Sequence, residues 1–286
     1  MTVSGRKAPF PIFDSHLHLD PEGRGVEAAK EFQRAGGTGL MLVHKPYHSI
    51  PCTKKEDFVR SFEVTISMAE KVRAQTGLLV LVALSPHPAE LTGLRPDMGL
   101  DKAKGLMLDA LECCAAFVKE GKAHALGEIG RPHYPVGPDV WAASNELLLA
   151  GLKHAKELGC AAVLHTESAT PEVFRELAAM ATSVGIGLDK VVKHFSPPII
   201  DVKDNFGLFP SVLAGKDAAQ KALAQGTRFM LETDYIDDNR RPGAVLGPGT
   251  VPRRTLELFQ NGTLTEEQAF VIHRDNPTNV FGAGKG

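Results

Sequence analysis

Little in this chain would staple it, anchor it in a bilayer or give it a dominant charge. It has four cysteines, Cys52, Cys113, Cys114 and Cys160, and none stands in a Cys-x-x-Cys pair. That spacing excludes a zinc ribbon and gives no disulfide framework, and a chain of this length buries enough core to need neither. Reduced thiols of this kind point to the cytoplasm. No stretch approaches the roughly 18 apolar residues of a membrane span. Met1 to Pro9 carries charge but no apolar core, so a signal peptide is not expected there, and no membrane partner is expected. Neither charge sign dominates: 32 basic side chains face 34 acidic ones, for a net charge of −2. There is no basic tract to mark a nucleic-acid surface. What remains is ordinary globular composition, 43% hydrophobic and 23% charged, with a conspicuous set of eleven histidines.

The 286 residues suit either two ordinary domains or one α/β barrel, which runs to roughly 250 residues. Apolar strand-like runs alternate with helix-period segments throughout. Strands are expected at Pro11–Leu19, Thr38–His44, Leu78–Leu84, Ala123–Ile129, Ala161–His165, Lys190–Phe195, Asn205–Leu213 and Arg228–Thr233. Helices fall between them, with a Gly- and Pro-rich loop read from Ser85 to Met98 and a Pro-interrupted seventh strand. Eight strands alternating with about eight helices, without a composition break, predict a closed (β/α)₈ TIM barrel. It is a single domain over residues 1–286, with 1–9 as an N-terminal extension. An open doubly wound sheet is the alternative, weakened because the first βα turn lacks Gly-x-Gly-x-x-Gly and no P-loop motif occurs.

The first strand carries His16-Leu17-His18. Residues i and i+2 of a strand share a face, so the two imidazoles stand side by side, as chelation of one metal requires. Alone, such a pair is more often structural. It gains company at the other strand ends: Glu128 in Gly-Glu-Ile-Gly, His165 after the fifth strand, His194 after the sixth and Asp234 after the eighth. Barrel active sites lie at this end of the strands. Burying so many ionisable groups without a shared partner would be costly.

As an ordered set these segments resemble the TatD-like metal-dependent hydrolases of the amidohydrolase superfamily. The matching pieces are Phe13–Asp20, Ser85-Pro86-His87-Pro88, Gly127–Gly130, His165, His194, Glu232-Thr233-Asp234 and the tail Asn276–Phe281. The resemblance implies a site for two divalent metal ions, Zn, Mn or Mg. It implies that His16, His18 and Asp234 hold one ion, His165 and His194 the other, and that Glu128 bridges them. It further implies hydrolysis by a metal-bound hydroxide, with Asp234 orienting the nucleophile and passing on its proton.

The chain departs from its relatives around the site. Where many relatives place an arginine shortly after the fifth-strand histidine, it has Glu167; Arg131 is the neighbouring cation that could offset this, and it could pair with Glu167. His87 and Arg131 are expected to bind substrate. Lys193 precedes a ligand on a strand and is expected to point away from the barrel lumen, which argues against a carboxylated lysine bridge. The leading expectation is a phosphoesterase acting on a nucleic-acid 3′-end or a small phosphorylated molecule. An amidohydrolase or lactonase acting on a carboxyl derivative is the second, and a non-catalytic metal-binding barrel the third.

Overall fold

The computed structural model describes residues 8–283, so most of the expected N-terminal extension lies outside the described residues. Strand and helix alternate as the apolar periodicity requires. The order is β1 (Phe13–His18), α1 (Val26–Arg34), β2 (Gly39–Val43), α2 (Lys55–Thr76), β3 (Leu79–Leu84), α3 (Ala89–Met98), α4 (Leu100–Lys119), β4 (Ala125–Gly130), α5 (Pro138–Leu158) and β5 (Ala161–His165). Then come α6 (Pro171–Val184), β6 (Val191–Ser196), α7 (Val202–Asn205), β7 (Phe209–Leu213), α8 (Ala218–Leu223), β8 (Met230–Glu232), β9 (Tyr235–Ile236), α9 (Thr250–Gln260), α10 (Glu266–Phe270) and α11 (Asn276–Phe281).

All strands are parallel, in the order β8-β7-β6-β5-β4-β3-β2-β1-β9. The ninth strand resolves into the expected eight once its position is considered. Only Thr233 and Asp234 separate β8 from β9, and β9 pairs with β1 through Leu17↔Tyr235 and His18↔Ile236. One broken strand therefore touches β7 with its first half and β1 with its second, which closes the ring. The break follows from Asp234, whose φ of 46° lies in the left-handed region that Asp tolerates better than most residues. Side chains complete the seam. Asp14 accepts from the Thr233 backbone N–H at 3.1 Å and from its hydroxyl at 2.7 Å, and Asp234 N–H donates to the His16 carbonyl at 2.9 Å.

Two local readings needed correction. The stretch read as loop before Met98 contains α3. Pro88 holds a helical φ of −54° at its start, the Glu90 carboxylate accepts the His87 N–H, and buried Leu91 anchors it. Pro96 lies in its last turns, which is why periodicity hid it. The seventh strand is shorter than expected, because Asp201 caps the short helix α7, and Pro210 sits inside β7 opposite Lys193 rather than ending it.

Inside the ring, Phe13, Met41, Val43, Leu81, Val163, Val192, Phe209 and Met230 form an apolar layer closed below by Val280 and Phe281. A larger shell of aliphatic and aromatic side chains packs the helices onto the outside. The ionisable groups lie above the inner layer, at the C-terminal strand ends. A buried histidine elsewhere shows the contrast: His273 sits between Thr255 and the Phe13 backbone, and burial pushes it down to about 4, as suits a neutral structural residue.

Candidate metal centre

Alternation along β1 turns His16 and His18 to the same side, with their Nε2 atoms 3.2 Å apart. Asp234 reaches them from across the seam, its Oδ1 at 3.8 Å from His16 Nε2 and 3.5 Å from His18 Nε2. Glu128 stands in the middle. Its Oε2 faces His16 and His18 at 3.8 and 3.7 Å, while its Oε1 faces His165 Nδ1 at 2.6 Å and His194 Nε2 at 3.1 Å. The six strand-end residues thus converge, although they come from five separate strand ends. The chain makes room for this by using glycines beside Glu128. Gly130 has φ of 149°, and a Cβ there would collide with the His165 carbonyl oxygen.

Hydrogen bonds on the far side of each ring decide what it offers. His18 Nδ1 lies 2.9 Å from the Val43 carbonyl, which only accepts, so Nδ1 carries the proton and Nε2 presents a lone pair. His194 Nδ1 donates to Glu232 at 3.0 Å, which aims Nε2 at Glu128; a bound cation would take the place of the Nε2 proton. Glu232 is itself fixed by the Phe195 N–H at 2.8 Å and by the Ser211 hydroxyl. His16 Nδ1 is buried and finds no hydrogen-bond partner. The His18 lone pair therefore points at carboxylate oxygens with no proton between them. A cation is the group that reconciles such a set, and N and O donors of this kind suit a divalent transition metal.

Electrostatics point the same way. Burial opposes ionisation of Glu128, but His165, His194 and His16 outweigh it and hold the carboxyl well below its usual range. Burial likewise opposes the charged form of Asp234, and the neighbouring His18, His194 and His16 keep it low. Burial pushes His194 down, yet Glu232 and Glu128 prevail and raise it to about 10. Three buried carboxylates thus draw positive charge toward one point.

His87 differs from the other rings. Its Nε2 lies 3.8 Å from Glu128 Oε2, and geometrically it could join Glu128 and His165 around an ion. Its Nδ1, however, accepts the Ala89 backbone N–H at 3.1 Å. The proton of the neutral ring is then on Nε2. Burial pushes His87 down to about 3, so it is neutral and presents an N–H donor to the site.

Arg131 does not face the cluster. It is completely buried, with its guanidinium bound to both oxygens of Glu167, to Glu176 at 2.7 Å and to Asn145 at 3.1 Å, and it lies over the Trp141 ring. The pairing with Glu167 is present, and the side chain expected to bind substrate is fully engaged in it. Lys193 is buried too, outside the ligand set, donating from Nζ to the His194 carbonyl at 2.6 Å. Two contributors, Glu232 and Asp14, had no role assigned in the sequence. Glu232 carried a signal, as a charge inside an otherwise apolar strand, whereas Asp14 stands beside Ser15 and His16 in a strand already polar. His133, in the loop after β4, reads from the sequence as a basic residue of the barrel mouth, and the structure sets it 2.9 Å from His165 Nε2.

Comparison with known proteins places this geometry in a lineage. The family model of TatD related DNases matches residues 13–282. MJ1127 of Methanocaldococcus jannaschii, described as an uncharacterized protein, is 40% identical over 278 residues, 95% of this chain and 96% of its own. Among solved structures, the TatD-like protein AF1765 of Archaeoglobus fulgidus matches with a TM-score of 0.62 at 19% identity, over 94% of this chain and 99% of that one. The phosphotriesterase homology protein of Escherichia coli, with phosphate in its active site, matches with a TM-score of 0.62 at 14% identity, over 96% and 99%. Such structures share the fold of this chain, and the match of the family model along nearly all of it shows that the chain belongs to the family of TatD related DNases.

Proposed function

We propose that the chain is a two-metal hydrolase of phosphoesters, acting in the cytoplasm on a small phosphorylated molecule or a nucleic-acid 3′-end. The observation that carries this reading is the division of Glu128: one carboxylate oxygen faces His16 and His18, the other faces His165 and His194. A carboxylate so placed suits a bridge between two cations about 3.5–4 Å apart. His16, His18 and Asp234 would hold one, His165 and His194 the other. Two bound divalent cations supply Lewis acidity toward a phosphoryl oxygen and make a water more acidic.

The side chains do the rest. Val43 and Glu232 keep His18 and His194 in the tautomers that ligation needs. Asp234, ionised and fixed at the seam, takes a proton from the attacking water at Oδ1 and delivers it to the leaving oxygen. His87 donates its Nε2 proton in a hydrogen bond to a substrate oxygen. The phosphate in the active site of the E. coli neighbour supports a phosphoryl substrate. Zn, Mn and Mg are the candidate metals.

One observation favours a second reading, hydrolysis of a lactone or other carboxyl derivative. Arg131 is fully occupied by Glu167, Glu176 and Asn145, so it brings no positive charge to a phosphate. The deciding experiment is an assay of phosphomonoesters, phosphodiesters, single-stranded DNA and lactones with protein reconstituted in Zn²⁺, Mn²⁺ or Mg²⁺. Turnover confined to lactones selects the second reading. Turnover that survives complete chelation removes both. Metal analysis of Glu128→Ala, expected to lose both ions, tests the bridge itself.

A further inference from the structure

Among the described residues, four large apolar side chains are left exposed: Leu79, Tyr134, Phe195 and Val202. Leu79 begins β3, at the end of the barrel remote from the site, and Val202 begins α7. The two aromatics border the ligand cluster. The Phe195 ring stands 5.9 Å from that of His194, edge to face, and Phe195 is 44% exposed. From His194 the rings continue to His165 at 5.6 Å, then His133 at 5.1 Å, then Tyr134 at 5.2 Å. An arc of aromatic rings therefore has the candidate ligands in its middle and an exposed benzene or phenol ring at either end.

Phe195 is held there at a cost. Its φ is 50°, in the left-handed region that bulky side chains avoid. Its N–H donates to Glu232 Oε1, the oxygen that also fixes His194 Nδ1, so one carboxylate orients both residues. The ring gains little from the core in return, since much of it is in solvent. We infer that Phe195 is a stacking platform for a planar π-bonded group of the substrate, one or two bonds beyond the scissile ester. An aryl leaving group and a nucleobase share this chemistry. The inference rests on the phosphoester reading above, and gives the organic part of the substrate a grip separate from the groups that hold the phosphate.

Calorimetry on the metal-loaded protein tests it with two matched pairs of probes, phenylphosphonate against methylphosphonate and adenosine monophosphate against ribose 5-phosphate. Stacking on an aromatic side chain is worth about tenfold in affinity or more. Wild-type protein should bind the aromatic member of at least one pair about tenfold more tightly, and the pair that shows it tells aryl from nucleobase. Phe195→Ala should bring that ratio to within about twofold of one, Phe195→Trp should keep it, and Val202→Ala, at the other exposed apolar site, should leave it as in wild type. A purely structural Phe195 would move both members of a pair together and leave the ratio alone. Ratios near one in wild type, or a ratio that survives Phe195→Ala, overturn the inference and leave the hydrolase reading standing. Failure of every probe to bind overturns both.

Discussion

Two clusters of buried charge lie side by side at the mouth of this barrel, and they are built on opposite plans. Around Arg131 the donors and acceptors match: a guanidinium meets two carboxylates, an amide oxygen and an indole face. Around Glu128 they do not match. The His18 lone pair faces carboxylate oxygens, and His16 Nδ1 has no partner. Buried polar groups are normally satisfied, so a set that its own chain leaves unsatisfied is one that an outside ion completes. A residue's type nominates it for function; the balance of its hydrogen bonds decides.

The comparison can be broken from either side. The largest effect is expected on the unmatched side. Asp234→Asn should lower kcat by about 10³-fold, the range of a lost general acid–base group, with circular dichroism and melting temperature close to wild type. Full activity in that variant would remove Asp234 from proton transfer. On the matched side the effect should fall on stability. Arg131→Met leaves Glu167 and Glu176 without their cation, but both are partly solvated, so the loss should be about 2–4 kcal/mol in urea unfolding. Metal content should stay at the wild-type value. A normal stability with lost substrate affinity would return Arg131 to the binding site.

A pH scan of the metal-free protein sharpens the contrast. His194 is held at about 10, above its ordinary value near 6.5. A group raised in the folded state contributes stability that is whole below the ordinary value and is lost as pH climbs through the raised one. Metal-free protein should therefore lose up to about 5 kcal/mol between about pH 6.5 and pH 10. Glu232→Gln should flatten that slope, and an equally steep slope in Glu232→Gln would contradict the assignment. The smallest effect is expected for Glu176→Gln. Its carboxylate is half exposed, so this arm of the Arg131 cluster should be worth no more than about 0.5 kcal/mol by unfolding.

These outcomes also bear on what a sequence can disclose. The barrel was legible because covered parallel strands read as apolar runs, and a polar residue ending such a run stands out. His165 and Asp234 were visible for that reason, and the structure gathers all six strand-end residues at one place. The pairing of Arg131 with Glu176 was not visible, because the two are 45 residues apart and meet only through the packing of α6 against α5. Nor was the donor character of His87, which depends on a single backbone N–H at the start of α3, the helix that Pro and Gly concealed. The split of the last strand escaped for a different reason: periodicity reports faces, and the change at Asp234 is one of direction.

That split has a mechanical meaning. The first and last strands of the ring meet through Asp14, Thr233 and a few backbone contacts rather than through a continuous ladder. His16 and His18 belong to one side of this joint and Asp234 to the other. An ion held by all three would act as a clasp, tying chain positions more than two hundred residues apart where the ring closes. Loading the ion should then slow amide exchange first at Thr233, Asp234 and Tyr235, and make the closed ring yield only as a whole.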